Sequence, residues 1–120
     1  MNLSFRKMCL EDLETVKKLD KLAFSNPWPE NSIKYELEQN TNARLWVSEL
    51  GEFNQKIIIS FAIVWVILDE AHIGTFAILP EYQNLGIGQK FLAFISMQLL
   101  DEDIKKIFLE VRKSNLAAIG

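Results

Sequence analysis

The stretch from residue 56 to residue 68, KIIISFAIVWVIL, is rich in β-branched and aromatic side chains. It predicts a long strand that is buried on both faces. Its apolar part, residues 57–68, is interrupted by Ser60 and is shorter than the ~20 residues with which a helix crosses a bilayer. The N-terminus also lacks the basic start, apolar run and cleavage site of a signal peptide. We therefore expect a soluble, cytoplasmic protein without a membrane partner.

Shorter elements with clear periodicity flank this strand. Two further strands are joined to it by tight turns, and the three together predict a meander. Apolar residues at helical spacing predict three helices. The predicted helices cover residues 11–24, from 30 or 31 to about 38, and 88–100. The predicted strands cover residues 44–50, 56–68, 72–79 and 105–113. With a strand at the N-terminus, the order β-α-α-β-β-β-α-β predicts an α+β fold whose last β-α-β unit has a right-handed crossover.

Length, charge and cysteine content exclude several classes of protein. The 120 residues suit one domain, and no repeat or linker divides them, so we expect a single domain over residues 1–120. The net charge of −3 argues against a nucleic-acid partner that depends on a broad basic surface. Cys9 and His72 are the only cysteine and histidine, which excludes a disulfide framework and a zinc cluster, and we expect no metal.

A glycine-containing segment, Gln83-Asn84-Leu85-Gly86-Ile87-Gly88, lies between a predicted strand and a predicted helix. Its two glycines allow the backbone to come close to a bulky anion, and the first N–H groups of the helix have no partners within it. With the helix dipole, this arrangement suits a pyrophosphate. A Gly-x-Gly turn alone is more often an ordinary loop, and the segment matches neither the Rossmann fingerprint nor the P-loop.

The spacing Gln83-x-x-Gly86-x-Gly88 after a strand resembles the coenzyme A pyrophosphate motif of the GNAT superfamily of N-acetyltransferases. Three segments are similar, in the same order, to those of the RimI-type ribosomal-protein-alanine N-acetyltransferases: FSNPW at 24–28, ILPEYQ at 78–83 and LEVRKSN at 109–115. The resemblance covers nearly the whole chain. It implies the GNAT fold, acetyl-CoA as cosubstrate, and the N-terminal alanine amine of a small-subunit ribosomal protein as acceptor.

The resemblance also implies roles for individual residues. The strand backbone at Phe76, Ala77 and Ile78 would meet the acetyl and pantetheine portions of acetyl-CoA, in a gap where this strand splays from the next. Asn115 would touch the cofactor from beyond the last strand. Trp28 would shape the acceptor pocket, although a loop tryptophan that covers the core is an equal alternative. The pyrophosphate would lie against Gln83, Asn84, Leu85, Gly86, Ile87, Gly88 and Gln89, with Asn84 replacing a basic residue common in relatives.

Glu110 has two interpretations. Strand alternation alone favours a solvent-facing carboxylate that pairs with Arg112. The resemblance instead makes Glu110 the catalytic general base that draws a proton from the acceptor amine, whose pKa is ~8 for a free α-amino group.

Relatives place a tyrosine, the general acid, shortly beyond the position that corresponds to Gly120. The resemblance therefore predicts a domain that is incomplete at its C-terminus, without the family's last helix and two strands, and with little or no catalysis. Two alternatives remain: a GNAT enzyme that acetylates another amine, on a small molecule or a lysine, and a non-catalytic fragment that binds CoA or is purely structural. The oligomeric state is not indicated.

Overall fold

The protein forms a five-stranded sheet with helices on both faces, as seen in a computed structural model that describes residues 2–109. The strands lie in chain order across the sheet: β1 (Leu3–Lys7), β2 (Ala43–Leu50), β3 (Ile57–Ile67), β4 (Glu70–Ile78) and β5 (Lys106–Leu109). The helices are α1 (Leu13–Ala23), α2 (Ser32–Glu38) and α3 (Ile87–Asp101). The predicted order of helices and strands is confirmed. No helix within residues 2–109 is long and apolar enough to span a bilayer.

Strands β2, β3 and β4 form the predicted antiparallel meander, β1 pairs antiparallel with β2, and β5 pairs in parallel with β4 after α3. The pairing of β4 with β5 covers Glu70–Ile73 opposite Lys106–Leu109. Within the described residues, the remainder of β4 pairs with β3 alone. Residues 110–113 of the predicted last strand lie outside the part of the chain that the structure describes.

The long central strand β3 is buried on both faces, as its composition predicts. Ala62 and Val64 pack in a core beneath α3, whereas Phe61 and Ile63 pack in a second core beneath α1 and α2. All four side chains have no exposed surface. Because helices cover both faces of the sheet, the strand does not show the polar–apolar alternation of a sheet with one solvated face.

The helix bounds differ slightly from those predicted. A short 3₁₀ turn at Leu10–Asp12 precedes α1, so the regular helix begins at Leu13 instead of residue 11. Helix α3 begins at Ile87 instead of residue 88, directly after Gly86, whose backbone is in the left-handed conformation. Both differences lie within the one or two residues by which helix ends usually vary.

Strand β4 contains a β-bulge. Ile63 of β3 pairs with Thr75, and the adjacent Val64 pairs with Ile73, so that Gly74 is an extra residue on β4. Such a bulge bends the strand and interrupts its regular alternation. The bulge follows directly on Ile73, the last β4 residue that pairs with the described part of β5.

The beginning of α1 is fixed by an ion cluster on Arg6 of β1. The Arg6 guanidinium donates to both carboxylate oxygens of Asp12, at 2.7 and 2.9 Å, and to Glu49 at 3.0 Å. The Cys9 backbone N–H donates to the same Asp12 carboxylate at 2.8 Å. The hydrogen bonds from Arg6 lower the pKa of the largely buried Asp12 to about 2.

We expect this cluster to make stability dependent on pH. Because the Asp12 pKa is lower in the folded protein, its contribution is present above the ordinary pKa of ~4 and is lost as pH falls toward 2. After allowance for the partly exposed Arg6, we expect Asp12→Asn to lower the free energy of unfolding by about 1–2 kcal/mol at pH 7. The difference from wild type in urea unfolding should shrink between pH 4 and pH 2. Glu14→Gln, at an exposed carboxylate, is the control. A difference in free energy of unfolding between wild type and Asp12→Asn that does not depend on pH would contradict the role assigned to Asp12.

Candidate active site

The segment between β4 and α3 is tied to the sheet at two points. Its first residue, Leu79, donates its backbone N–H to the carbonyl of Ile59 at 2.8 Å. The Gln83 side-chain amide donates to the carbonyl of Ile78, the last residue of β4, at 3.0 Å. Gln83 therefore holds the loop that follows it against the end of the strand.

The loop then turns into α3 through two residues with left-handed backbone conformation, Asn84 at φ 63° and Gly86 at φ 82°. The first backbone hydrogen bond of the helix runs from the Lys90 N–H to the Gly86 carbonyl, at 3.3 Å. The N–H groups of Ile87, Gly88 and Gln89 precede this bond and have no acceptor within the helix. They give the helix start a partial positive charge.

The space in front of Gly86 is open. A Cβ atom added at this position would meet no heavy atom within 4 Å, although the backbone conformation there already disfavours a side chain. A group with several oxygen atoms could therefore approach the free N–H groups closely, and the loop fits a pyrophosphate. Ile87 and Gly88 are buried, so only their backbone could contact such a group, whereas Asn84, Leu85 and Gln89 are exposed.

The β4 residues assigned to the cofactor present their backbone and not their side chains. Phe76 and Ile78 are fully buried beneath α3, and Ala77 is buried in the core beneath α1. Any contact of a ligand with this part of β4 would have to be made by peptide groups. The role that the sequence resemblance implies for these three residues stays a prediction.

Trp28 is held against the bulge of β4. Its backbone N–H donates to the buried Asp20 carboxylate at 2.7 Å, and its indole Nε1–H donates to Thr75 Oγ1 at 2.9 Å. Its ring is half-buried and lies 6.3 Å from the ring of Trp65, centroid to centroid. The indole thus packs on the core and also borders a groove of about 330 Å³, lined by Asn26, Pro27, Trp28, Pro29, Gly74 and Thr75.

Sequence reasoning did not identify four residues around this groove: Asp20, Trp65, Gly74 and Thr75. A glycine inside a strand is a known sign of a bulge or a close approach, so Gly74 could have been found. The partners of Trp28 could not have been found from the sequence, because the fold brings them to Trp28 from distant parts of the chain. A larger cavity of about 580 Å³ lies at the N-terminal end of β2, near Arg44 and Glu102, and includes none of the predicted site residues.

Two predicted residues, Glu110 and Asn115, lie outside the described residues. The nearest described residue to Glu110 in sequence is Leu109, at the end of β5. Leu109 pairs with Ile73, which immediately precedes the bulge at Gly74.

The described residues thus combine an antiparallel meander, a parallel fifth strand and a helix start whose first N–H groups could hold an anion. A model of the Acetyltransferase (GNAT) family matches residues 13–120, and the chain belongs to this family of acetyltransferases. GNAT acetyltransferases use acetyl-CoA as acetyl donor.

Several curated relatives within this family are enzymes of one type. The ribosomal protein bS18-alanine N-acetyltransferase of Haemophilus influenzae is 37% identical over 106 residues, which are 88% of this chain and 68% of the relative. The enzyme of the same name from Escherichia coli is 33% identical over 109 residues, 91% of this chain and 70% of its own length. This chain also superposes on the crystal structure of the Escherichia coli ribosomal-protein-S18-alanine N-acetyltransferase, with a TM-score of 0.80 and 29% sequence identity. The superposition covers 98% of this chain and 72% of the Escherichia coli chain.

Proposed function

We propose that this protein transfers the acetyl group of acetyl-CoA to the α-amino group of an N-terminal alanine, on the small-subunit ribosomal protein bS18. The observation that supports this acceptor is the 37% identity to a bS18-alanine N-acetyltransferase over 88% of the chain. The alternative GNAT acceptors, small-molecule amines and lysine side chains, have no comparable support.

Acetyl-CoA would be held largely by backbone groups. The free N–H groups of Ile87, Gly88 and Gln89 and the open space at Gly86 suit its pyrophosphate. The loop from Gln83 to Gln89 contains no basic side chain, so the binding would depend on N–H donors and the helix dipole. When bound, acetyl-CoA supplies the acetyl group as an activated thioester.

Glu110 would act as the general base. It follows Leu109, the strand residue that pairs beside the bulge of β4, and the acceptor groove opens at that bulge. A carboxylate there would take a proton from the ammonium form of the acceptor, directly or through water. The neutral amine nitrogen would form a bond to the acetyl carbon, the carbon–sulfur bond would break, and CoA would leave as the thiolate. The second proton that the nitrogen loses on forming the amide would end on the thiolate. Backbone N–H groups of β4 would polarise the thioester carbonyl.

The acceptor assignment is tested by incubating the full-length protein with acetyl-CoA and a synthetic peptide with the bS18 N-terminal sequence. We expect mass spectrometry to show one added acetyl group on the terminal amine. The control peptides have the same sequence with a blocked N-terminus, and with lysine as the only free amine. Acetylation of the lysine peptide alone would contradict the proposed acceptor, as would a reaction with a small-molecule polyamine, added as a third control, but not with the alanine peptide.

Acetyl-CoA binding is tested separately by thermal unfolding. Acetyl-CoA at about 100 times its Kd should stabilise the protein by about 2.7 kcal/mol, because it binds only the folded state. Adenosine is the matched control, since it lacks the pyrophosphate that the loop would hold. No shift in melting temperature would overturn the cofactor assignment, and a shift without acetylation of any amine would indicate a CoA-binding protein without turnover.

A further inference from the structure

We infer that Thr75 and Trp65 are positioning residues for the acceptor, which fix the wall of the groove by holding Trp28 and the β4 bulge in place. The inference rests on the proposed function, because it takes the groove beside the bulge as the place where the acceptor amine binds. Beyond the proposed function, it gives roles to two residues that act through Trp28 and through the backbone of the bulge. It also proposes that the acceptor is recognised by contact with a fixed aromatic ring.

The first support is the contact between Trp65 and Gly74. A Cβ atom on Gly74 would lie 2.1 Å from Cζ3 and 2.6 Å from Cη2 of the Trp65 indole. The ring therefore lies directly on the backbone of the bulge, in space that any side chain at position 74 would need. Trp65 belongs to β3, where it pairs with His72, so the sheet itself fixes its backbone.

The second support is the hydrogen bond between Trp28 and Thr75. Thr75 is 1% exposed, and its Oγ1 accepts the indole N–H of Trp28 at 2.9 Å. The other end of Trp28 is fixed by its backbone hydrogen bond to Asp20, which is 2% exposed. Two hydrogen bonds at largely buried sites thus hold the tryptophan between α1 and β4, with limited freedom to change its rotamer.

These contacts decide what the groove can offer to an acceptor. Because both N–H donors of Trp28 are already used, the ring cannot donate a hydrogen bond to the substrate. It presents an apolar face beside the bulge backbone at Gly74 and Thr75. The acceptor is therefore recognised on this side by contact with a fixed aromatic wall, and the position of that wall depends on Thr75.

The test is a double-mutant cycle with Thr75→Val and Trp28→Phe, each of which removes one partner of the same hydrogen bond. We expect each single variant to raise KM for the alanine peptide by about 5- to 10-fold, which corresponds to one neutral hydrogen bond. The double variant should resemble Trp28→Phe, because the bond can be lost only once and Thr75→Val then has nothing further to remove. Thr75→Ser keeps the hydroxyl and should restore the wild-type KM, and the Kd of acetyl-CoA should stay unchanged throughout.

A second readout does not depend on turnover. In ¹H–¹⁵N spectra of the protein saturated with CoA, the indole N–H signal of Trp28 should shift when the alanine peptide is added, and this response should be lost in Thr75→Val but kept in Thr75→Ser. A hydroxyl with only a structural role would change the melting temperature and leave KM and the peptide response unaltered.

The possible failures are distinguishable. Acetylation of the peptide by wild type with an unchanged KM in Thr75→Val, or additive effects in the double variant, would overturn the inference and leave the proposed function in place. A wild-type protein that neither acetylates the peptide nor shows a shift of the Trp28 signal would overturn both.

Discussion

Replacement of Glu110 by glutamine is expected to lower kcat for the alanine peptide by about 10²- to 10⁴-fold, the usual contribution of a general base. Glutamine has nearly the same size but cannot take a proton from the ammonium form of the acceptor. The Kd of acetyl-CoA should not change, because the proposed contacts to the pyrophosphate lie in another part of the chain. The measurement is the rate of thiol release in the full-length protein, together with the acetyl-CoA-induced shift in melting temperature.

The pH dependence of the same variant gives an independent check. A free α-amino group has a pKa of ~8, so in Glu110→Gln the remaining rate should rise with pH as the amine loses its proton without help. Glu70→Gln is the matched control, since Glu70 is at the opposite end of the β4–β5 pairing and should leave kcat unaltered. An unchanged rate in Glu110→Gln would show that Glu110 is an ordinary strand carboxylate, as the alternation of the strand alone indicates.

Substitution of Gly86 by alanine is expected to weaken acetyl-CoA binding by about 10- to 100-fold, which corresponds to the loss of one charge-assisted hydrogen bond to the pyrophosphate. The added methyl group would point into open space and clash with nothing in the protein. It would, however, occupy the space that a pyrophosphate needs near the helix N–H groups. The left-handed backbone at this position adds about 1 kcal/mol of destabilisation, which the protein should tolerate. Isothermal titration with acetyl-CoA measures the effect.

Leu100→Ala is the control for this substitution, because Leu100 is 62% exposed and lies at the other end of α3. It removes side-chain atoms from the same helix without changing the backbone conformation, and its acetyl-CoA affinity should stay near that of wild type. Equal affinities in wild type and Gly86→Ala would contradict the assignment of the loop to the pyrophosphate.

The arrangement of the helices and strands could be predicted because each has its own period in the sequence. Val16 and Leu19 are both buried on one face of α1, and the long, mostly apolar run of β3 is explained by helices on both sides of the sheet. The loop at Gly86 could also be predicted, since its glycine pair lies between a predicted strand and a predicted helix. In each case the interactions that decide the structure lie between residues close in sequence.

The acceptor side could not be predicted in the same way. Trp28 and Thr75 form their hydrogen bond across 47 residues of sequence, and neither residue type indicates the other. The need for glycine at position 74 likewise arises from the Trp65 ring on the adjacent strand. Such contacts between distant residues depend on register, and here the register changes at the bulge itself.

The topology of the sheet has a consequence for how the protein folds. Strands β2, β3 and β4 are joined by short turns, whereas β1 is connected to β2 through α1 and α2, and β4 to β5 through α3. Closing either of these long connections costs more chain entropy than closing a hairpin, so the hairpins have the advantage in forming first. The segment assigned to the pyrophosphate lies inside the connection from β4 to β5. A ligand bound there would favour the docked crossover over its detached forms, and it would act on a step that follows the formation of the hairpins.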